Sequence, residues 1–298
     1  MPQRKVITED LEALNSLKEL AQSYEEIAVI RMQQIKEKVL KTRDFLARIS
    51  DVFVDLKSSY AREVLDLMKR IKKGDNKLSP VLQKINKTLL VYLASNGRLY
   101  GSVTQKTFRL LRDDLKKIKQ EESDIVIIGK AGKEMFEESP VASSHPFEYF
   151  EMPDTGFKID HIKSLMKKFL QYDRVHVYYG KFGNVVKQSP IETSINGEDI
   201  FETESPIITK REDRFIFEPT LEKIYHFFET QIMANLFAQT LLENQLARHA
   251  SRVNAMEEAL INIEEESKRL NQERVRLKHL MQNKKQLETM AGVVTLLD

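Results

Sequence analysis

The chain has 298 residues, is 41% hydrophobic and 31% charged, and carries a net charge of only +2. That balance excludes a polycation built for nucleic acid, and the lack of any cysteine excludes structural disulfides and thiolate metal sites. No run of about 18 apolar residues reads as a membrane-spanning helix. The opening MPQRKVITEDLEAL has neither the apolar core of a signal peptide nor the acid-poor start of a transit peptide.

From Gln3 to Lys73 there is no glycine or proline. Ile7, Leu11, Leu14, Leu17, Ala21, Tyr24, Ala28, Ile35, Val39, Leu46, Ile49, Val52, Leu56 and Tyr60 recur at threes and fours, which predicts one long helix with an apolar stripe. Lys72-Lys73-Gly74 reads as its stop signal, with cations in the last turn and a glycine just past it.

The middle of the chain, after Pro80, reads as α/β. Residues Lys87 to Ala94 form an apolar run of strand length, turned by Ser95-Asn96-Gly97. A helix is expected from Ser102 to Gln120, a strand over Asp124 to Ile128, a short helix over Lys133 to Glu138, and a strand near Phe147 to Phe150. Lys158 to Tyr172 is helical by pattern. Arg174 to Tyr179 and Asn184 to Ile191 read as a hairpin turned at Gly180 and Gly183. Such alternation implies a mostly parallel sheet with an antiparallel addition. Ser194 to Glu212 is a polar return connection.

Between Pro219 and Gly292 the helix breakers vanish again. Leu221, Ile224, Phe228, Ile232, Leu242, Leu246, Ala250, Val253, Met256, Leu260, Ile263, Leu270, Leu277, Leu280 and Leu287 repeat the helical spacing. An unbroken helix here would be roughly 108 Å long, too long for a small globule, so its stripe needs a partner. The N-terminal helix supplies one, which makes an antiparallel coiled coil.

Two stretches resemble nucleotide motifs and fail them. Gly129-Lys130-Ala131-Gly132-Lys133 follows a strand, but its glycines stand too close for a phosphate loop, and Glu134 occupies the hydroxyl position. Asn96-Gly97-Arg98-Leu99-Tyr100-Gly101 lacks the dinucleotide spacing and reads as a tight turn with close backbone approach. The histidines (His145, His161, His176, His226, His249, His279) show no metal-ligand spacing, and His249 and His279 are expected on the surface of the long helix. No cofactor, metal or catalytic residue is expected.

The last helix carries blocks of charge. Glu257 to Glu266 holds five acids and no bases, whereas Lys268 to Lys285 holds seven bases, Lys268, Arg269, Arg274, Arg276, Lys278, Lys284 and Lys285, and one acid, Glu273. Such a block is either a solvated face or a basic collar that meets an acidic partner. The apolar end, Gly292 to Leu297, asks for an apolar socket in another protein.

The last helix also carries a family resemblance. In Ala250-Ser-Arg-Val-Asn-Ala-Met-Glu-Glu-Ala-Leu-Ile-Asn262, residues Arg252, Ala255, Met256, Ala259 and Asn262 fit the A-x-R-M-x-A-M-x-x-A-T-x-N-A pattern of the gamma subunits of F-type ATP synthases. Phe217-Glu218-Pro219 resembles that family's F-E-P, and Leu242-Glu243 its following L-x-E region. Leu89 to Gly101 resembles its strand and D-R-G-L-C-G turn, with Leu99 and Gly101 fitting and Tyr100 in place of cysteine. Ile128 to Gly132 is similar to its G-x-K-G turn. Asn271 and Arg274 fit N-x-x-R-Q, with Val275 in place of glutamine. The N-terminal I-T-x-A-M signature is absent, and Ile27 to Met32 stands in that region.

The resemblance implies a mixed fold: a long antiparallel coiled coil, and an α/β Rossmann-like domain with a mostly parallel sheet. The expected divisions are 1–74 and 212–298 for the coiled-coil helices and 78–205 for the α/β domain. It implies a non-catalytic central rotor of a proton- or sodium-translocating ATP synthase. The partners would be the alpha and beta subunits of the catalytic head, the epsilon subunit and the membrane ring of c subunits. Membrane association would be indirect, peripheral at the cytoplasmic face of a bacterial plasma membrane. The expected partner-contact residues are Arg252, Met256, Asn262, Asn271, Arg274, Arg276 and Lys278. A non-rotary coiled-coil tether and an α/β enzyme with helical arms are the competing readings.

Overall fold

The structure, a computed structural model, describes residues 2–59, 84–118, 122–157, 159–196 and 221–294. The expected helix stop at Lys73, the turn into the middle domain at Pro80, most of the return connection, Phe217-Glu218-Pro219 and the last residues of the apolar tail lie outside them. In chain order the elements are helix α1 (Pro2–Ser59), β1 (Ile85–Leu93), α2 (Val103–Leu115), β2 (Ser123–Ile128), α3 (Lys130–Glu137), a 3₁₀ turn (Pro140–Ser143), β3 (Phe147–Phe150), α4 (Ile159–Phe169), β4 (Tyr172–Phe182), β5 (Gln188–Ser194) and α5 (Leu221–Val294). The elements follow the sequence reading, with adjusted ends. The hairpin turn runs from Gly183 to Lys187, so β5 starts later than Asn184.

The chain forms two units, Ile30–Ser251, and Met1–Val29 with Arg252–Asp298. In the first, the sheet has the order β3-β2-β1-β4-β5. β1 pairs in parallel with β2 and β4, β2 with β3, and β5 closes the edge antiparallel to β4. Strand periodicity then assigns the side chains. Leu89, Val91 and Leu93 enter one core with Val126, Val175, Val177 and with Phe169 of α4 and Met233, Phe237 and Leu241 of α5. Leu90, Tyr92 and Ala94 enter the opposite core with Leu111 of α2 and Phe136 of α3. The apolar run in β1 is continuous because both faces are covered. Ile35 and Val39 of α1 pack on Leu242 and Leu246 of α5. With the sheet on another side of α5, every residue from Thr240 to Ser251 is buried.

In the second unit α1 shows a heptad. Ile7, Ala21 and Ala28 are buried with Leu14 half-buried between them, and Leu11, Lys18 and Glu25 form the half-buried companion row. Leu17 belongs to the expected stripe yet is 52% exposed. A buried 3.5-residue period passes it by, although its spacing from Leu14 suits a looser helical count. Val52, in the other unit, is likewise exposed. On α5, Leu270 is buried, whereas Lys278 through Met290 are all exposed, which removes Leu280 and Leu287 from the expected stripe. Ala28 is fully buried, so Ala28→Leu is expected to overpack the seam by about 1–3 kcal/mol. Urea denaturation reads this directly, and an unchanged midpoint would place residue 28 on a solvated face.

Candidate functional site: an anchored helix and a basic collar

An open sheet of this order offers a ligand crevice outside the carboxyl ends of β1 and β4, where the connections diverge to opposite sides. In this chain α5 itself fills the crevice. Asn244 Oδ1 accepts the Gly180 N–H at 3.0 Å, and its Nδ2 donates to the Leu93 carbonyl at 3.2 Å. One side chain thus joins the ends of the two diverging strands. One turn on, Arg248 donates from Nη1 to the Ala94 carbonyl at 3.1 Å and to Asp154 Oδ1 at 2.6 Å, and from Nη2 to the Asp154 carbonyl at 3.2 Å. Ser251 Oγ accepts the Val103 N–H at 3.4 Å.

The turn after β1 closes on the same point. Asp154 accepts the N–H groups of Asn96 and Gly97. The Tyr100 ring lies under the Arg248 guanidinium at 4.9 Å and edge-on to His249 at 5.7 Å. His249 is therefore buried, contrary to the expected surface position. The buried surface of α5 is not a stripe here but its whole circumference. Burial pushes the Asp154 carboxyl up, but Arg248 and the two amides together hold it below the ordinary carboxylate range. Close approach depends on two glycines. A Cβ on Gly101, whose φ is +63°, would stand 2.4 Å from the Ser251 carbonyl oxygen, and one on Gly180 would stand 2.6 Å from Val103 Cγ2.

Two further ion pairs hold α5 in this unit. Glu229, buried, meets Lys84 Nζ, half-buried, at 2.6 Å. Glu243 meets Arg43 of α1 at 2.8 Å and accepts from Tyr179 at 3.4 Å. Burial and that carboxylate push the Tyr179 phenol up to about 12.

The false phosphate loop is fully occupied by its own chain. Gly129 N–H donates to the Phe150 carbonyl, Lys130 to Asn96 Oδ1, Ala131 to the Ser95 carbonyl, and Gly132 and Lys133 to the Gly129 carbonyl. Glu134 pairs with Arg98. No amide of this turn is left for a phosphate.

The predicted contact residues lie in the other unit. Arg252 sits half-buried over the Tyr24 ring at 5.6 Å. Met256 is half-buried, Asn262 is exposed, and Asn271 donates to the Ser267 carbonyl at 2.9 Å. Arg274, Arg276 and Lys278 are exposed and have no ion pair among the described residues, whereas Arg269 pairs with Glu266 and Lys284 with Glu288. The sequence reading missed the anchor residues Asn244, Arg248 and Asp154. Among the described residues there is no His, Cys, Asp or Glu cluster able to hold a metal, and no helix long and apolar enough to cross a membrane.

A mostly parallel sheet threaded by one long helix is the fold of ATP synthase stalk chains. The chain resembles one from the Euglena gracilis mitochondrial ATP synthase OSCP/F1/c-ring structure, with a TM-score of 0.64 at 14% identity, over 99% of this chain and 95% of that one. It resembles another from the Tetrahymena thermophila mitochondrial central stalk and c-ring, with a TM-score of 0.55 at 18% identity, over 80% and 99%. The family model described as ATP synthase matches residues 3–279. Among curated relatives, the ATP synthase gamma chain of Protochlamydia amoebophila is 23% identical over 98% of both chains, and that of Mycoplasmopsis pulmonis 23% identical over 88% of both. The chain belongs to the ATP synthase family, as a gamma-type subunit. Such a subunit is non-catalytic, and the readings as a tether or an α/β enzyme are not favoured.

Proposed function

We propose that the chain is the central rotor shaft of a proton- or sodium-translocating ATP synthase. The α1–α5 pair turns within a head of alpha and beta subunits, which carry the nucleotide chemistry. The sheet-bearing part meets the epsilon subunit and the membrane ring of c subunits at the cytoplasmic face of a bacterial plasma membrane. In this reading residues 1–74 and 212–298 form the shaft and 78–205 its seat. The observation that carries it is the basic trio Arg274, Arg276 and Lys278, exposed and without ion pairs among the described residues, followed by an α5 end that exposes Leu280, Met281, Leu287 and Met290. Exposed cations and apolar side chains together ask for a partner that is acidic at the collar and apolar beyond it. Arg252, Met256, Asn262 and Asn271 would add contacts lower on the same helix.

Co-expression with alpha and beta subunits tests this. A stable complex with ATPase activity is expected; purification of the chain with a partner that lacks ATPase activity would favour a tether. Reversing Arg274, Arg276 and Lys278 to glutamate is expected to leave the isolated chain folded, since exposed pairs contribute only about 0–1 kcal/mol each. The ATPase rate or coupling of the assembled complex is expected to fall, and to fall furthest at low salt. Parent-like turnover at low ionic strength would make the collar a solvated face.

A further inference from the structure

Apolar packing holds a helix against a sheet but is non-directional. It resists rotation of the helix about its own axis weakly. Charge-assisted hydrogen bonds to a planar guanidinium are directional and fix an azimuth. On α5 directional bonds, charge-assisted at Arg248 and neutral at Asn244 and Ser251, occupy one face: the three residues stand four and three apart. They reach three separate backbone elements, the end of β1, the end of β4 and the start of α2. Asp154, brought from the loop after β3, binds Arg248 and the turn after β1 at once. Lys84–Glu229 pins the same helix roughly 28 Å away along its axis.

From this geometry we infer that the sheet's ligand crevice has become the seat through which torque passes between sheet and helix, with Asp154 and Arg248 as the positioning residues that fix the helix's angular register. The inference rests on the rotor reading and names where its load is borne. Hydrophobic contacts of Met233 and Phe237 seat the helix. The polar trio and Asp154 stop it from turning in that seat.

Asp154→Asn tests this, since the amide keeps an acceptor for Asn96 and Gly97 and removes the charge facing Arg248. In the full isolated chain, hydrogen exchange at residues 244–251 and 94–101 is expected to quicken by about 10- to 100-fold, the range for losing a hydrogen bond to a charged group. Exchange in β2 and β3 is expected to stay as in the parent. Arg248→Lys, which keeps charge but not the planar fork, is expected to fall between the two.

In the assembled complex driven by ATP, Asp154→Asn is expected to turn at the parent rate without load and to stall at a lower load. Phe169→Leu, a cavity variant of the sheet core, is expected to lower thermal stability and leave the stall load unchanged. The inference is overturned if Asp154→Asn speeds exchange evenly across the chain or stalls at the parent load. Local loosening in a chain that assembles no rotating complex would overturn the rotor reading, while the exchange result would still uphold the register.

Discussion

Gly101→Ala is expected to lower the melting temperature by about 5–15 °C. The residue has a φ of +63°, and an added Cβ would stand 2.4 Å from both the carbonyl oxygen and the Oγ of Ser251. Left-handed backbone costs a residue with a Cβ roughly 1–2 kcal/mol, and overpacking adds about 1–3 kcal/mol. At a few degrees per kcal/mol for a chain of this size, the two together give that range. Gly156 supplies the control. Its φ is +70°, and nothing lies within 4 Å of an added Cβ. Gly156→Ala is expected to show the backbone cost alone. Equal losses in the two variants would mean that α5 does not press on the turn after β1.

The other large effect is expected at Arg248→Met. The side chain is 5% exposed and its partner Asp154 is 20% exposed. Removing one member of a buried pair typically costs about 3–5 kcal/mol, and the lower end applies here because Asp154 keeps some water and its two amide donors. The acid limb of stability should change as well. In the parent the folded carboxyl titrates below its ordinary value of 3.8. Its contribution is therefore fully present above that value and is lost as pH falls below it, through the folded value. Without the guanidinium, burial opposes ionisation, so this limb should flatten in the variant. Urea midpoints measured from pH 3 to pH 7 check both points. A midpoint at pH 7 within about 0.5 kcal/mol of the parent, the usual range for a surface change, would mean that the pair contributes little.

Much of the fold was legible because it is written in local period. The continuous apolar run of β1 announces a strand covered on both faces, and the breaker-free ends announce long helices. The turn at Gly129 was legible as a false phosphate loop from spacing alone, and the structure adds that each of its amides is already bonded. The anchor was not legible by these means. Arg248 and Asp154 are separated by 94 positions, and no local pattern joins residues that far apart. Reading α5 as a stripe also sent His249 to solvent and passed over Arg248, when sheet and α1 together enclose that segment. One signal did exist. Between Lys223 and Lys268 the chain has no lysine, an unusual lapse in so charged a sequence and one that suits a helix enclosed on all sides. The collar differs again: its charges are plain in the sequence, but only the structure separates Arg269 and Lys284, which pair along their own helix, from Lys268, Arg274, Arg276, Lys278 and Lys285, which have no ion pair among the described residues.

Single-molecule rotation tests the rotor claim most directly. The catalytic head, reconstituted with this chain, would be fixed to a surface and a bead attached to the sheet-bearing part. With ATP the bead is expected to turn in one direction, in steps that repeat with the symmetry of the head, and to stop when ATP is withdrawn. A complex that assembles and hydrolyses ATP while the bead only diffuses about a fixed angle would contradict the claim.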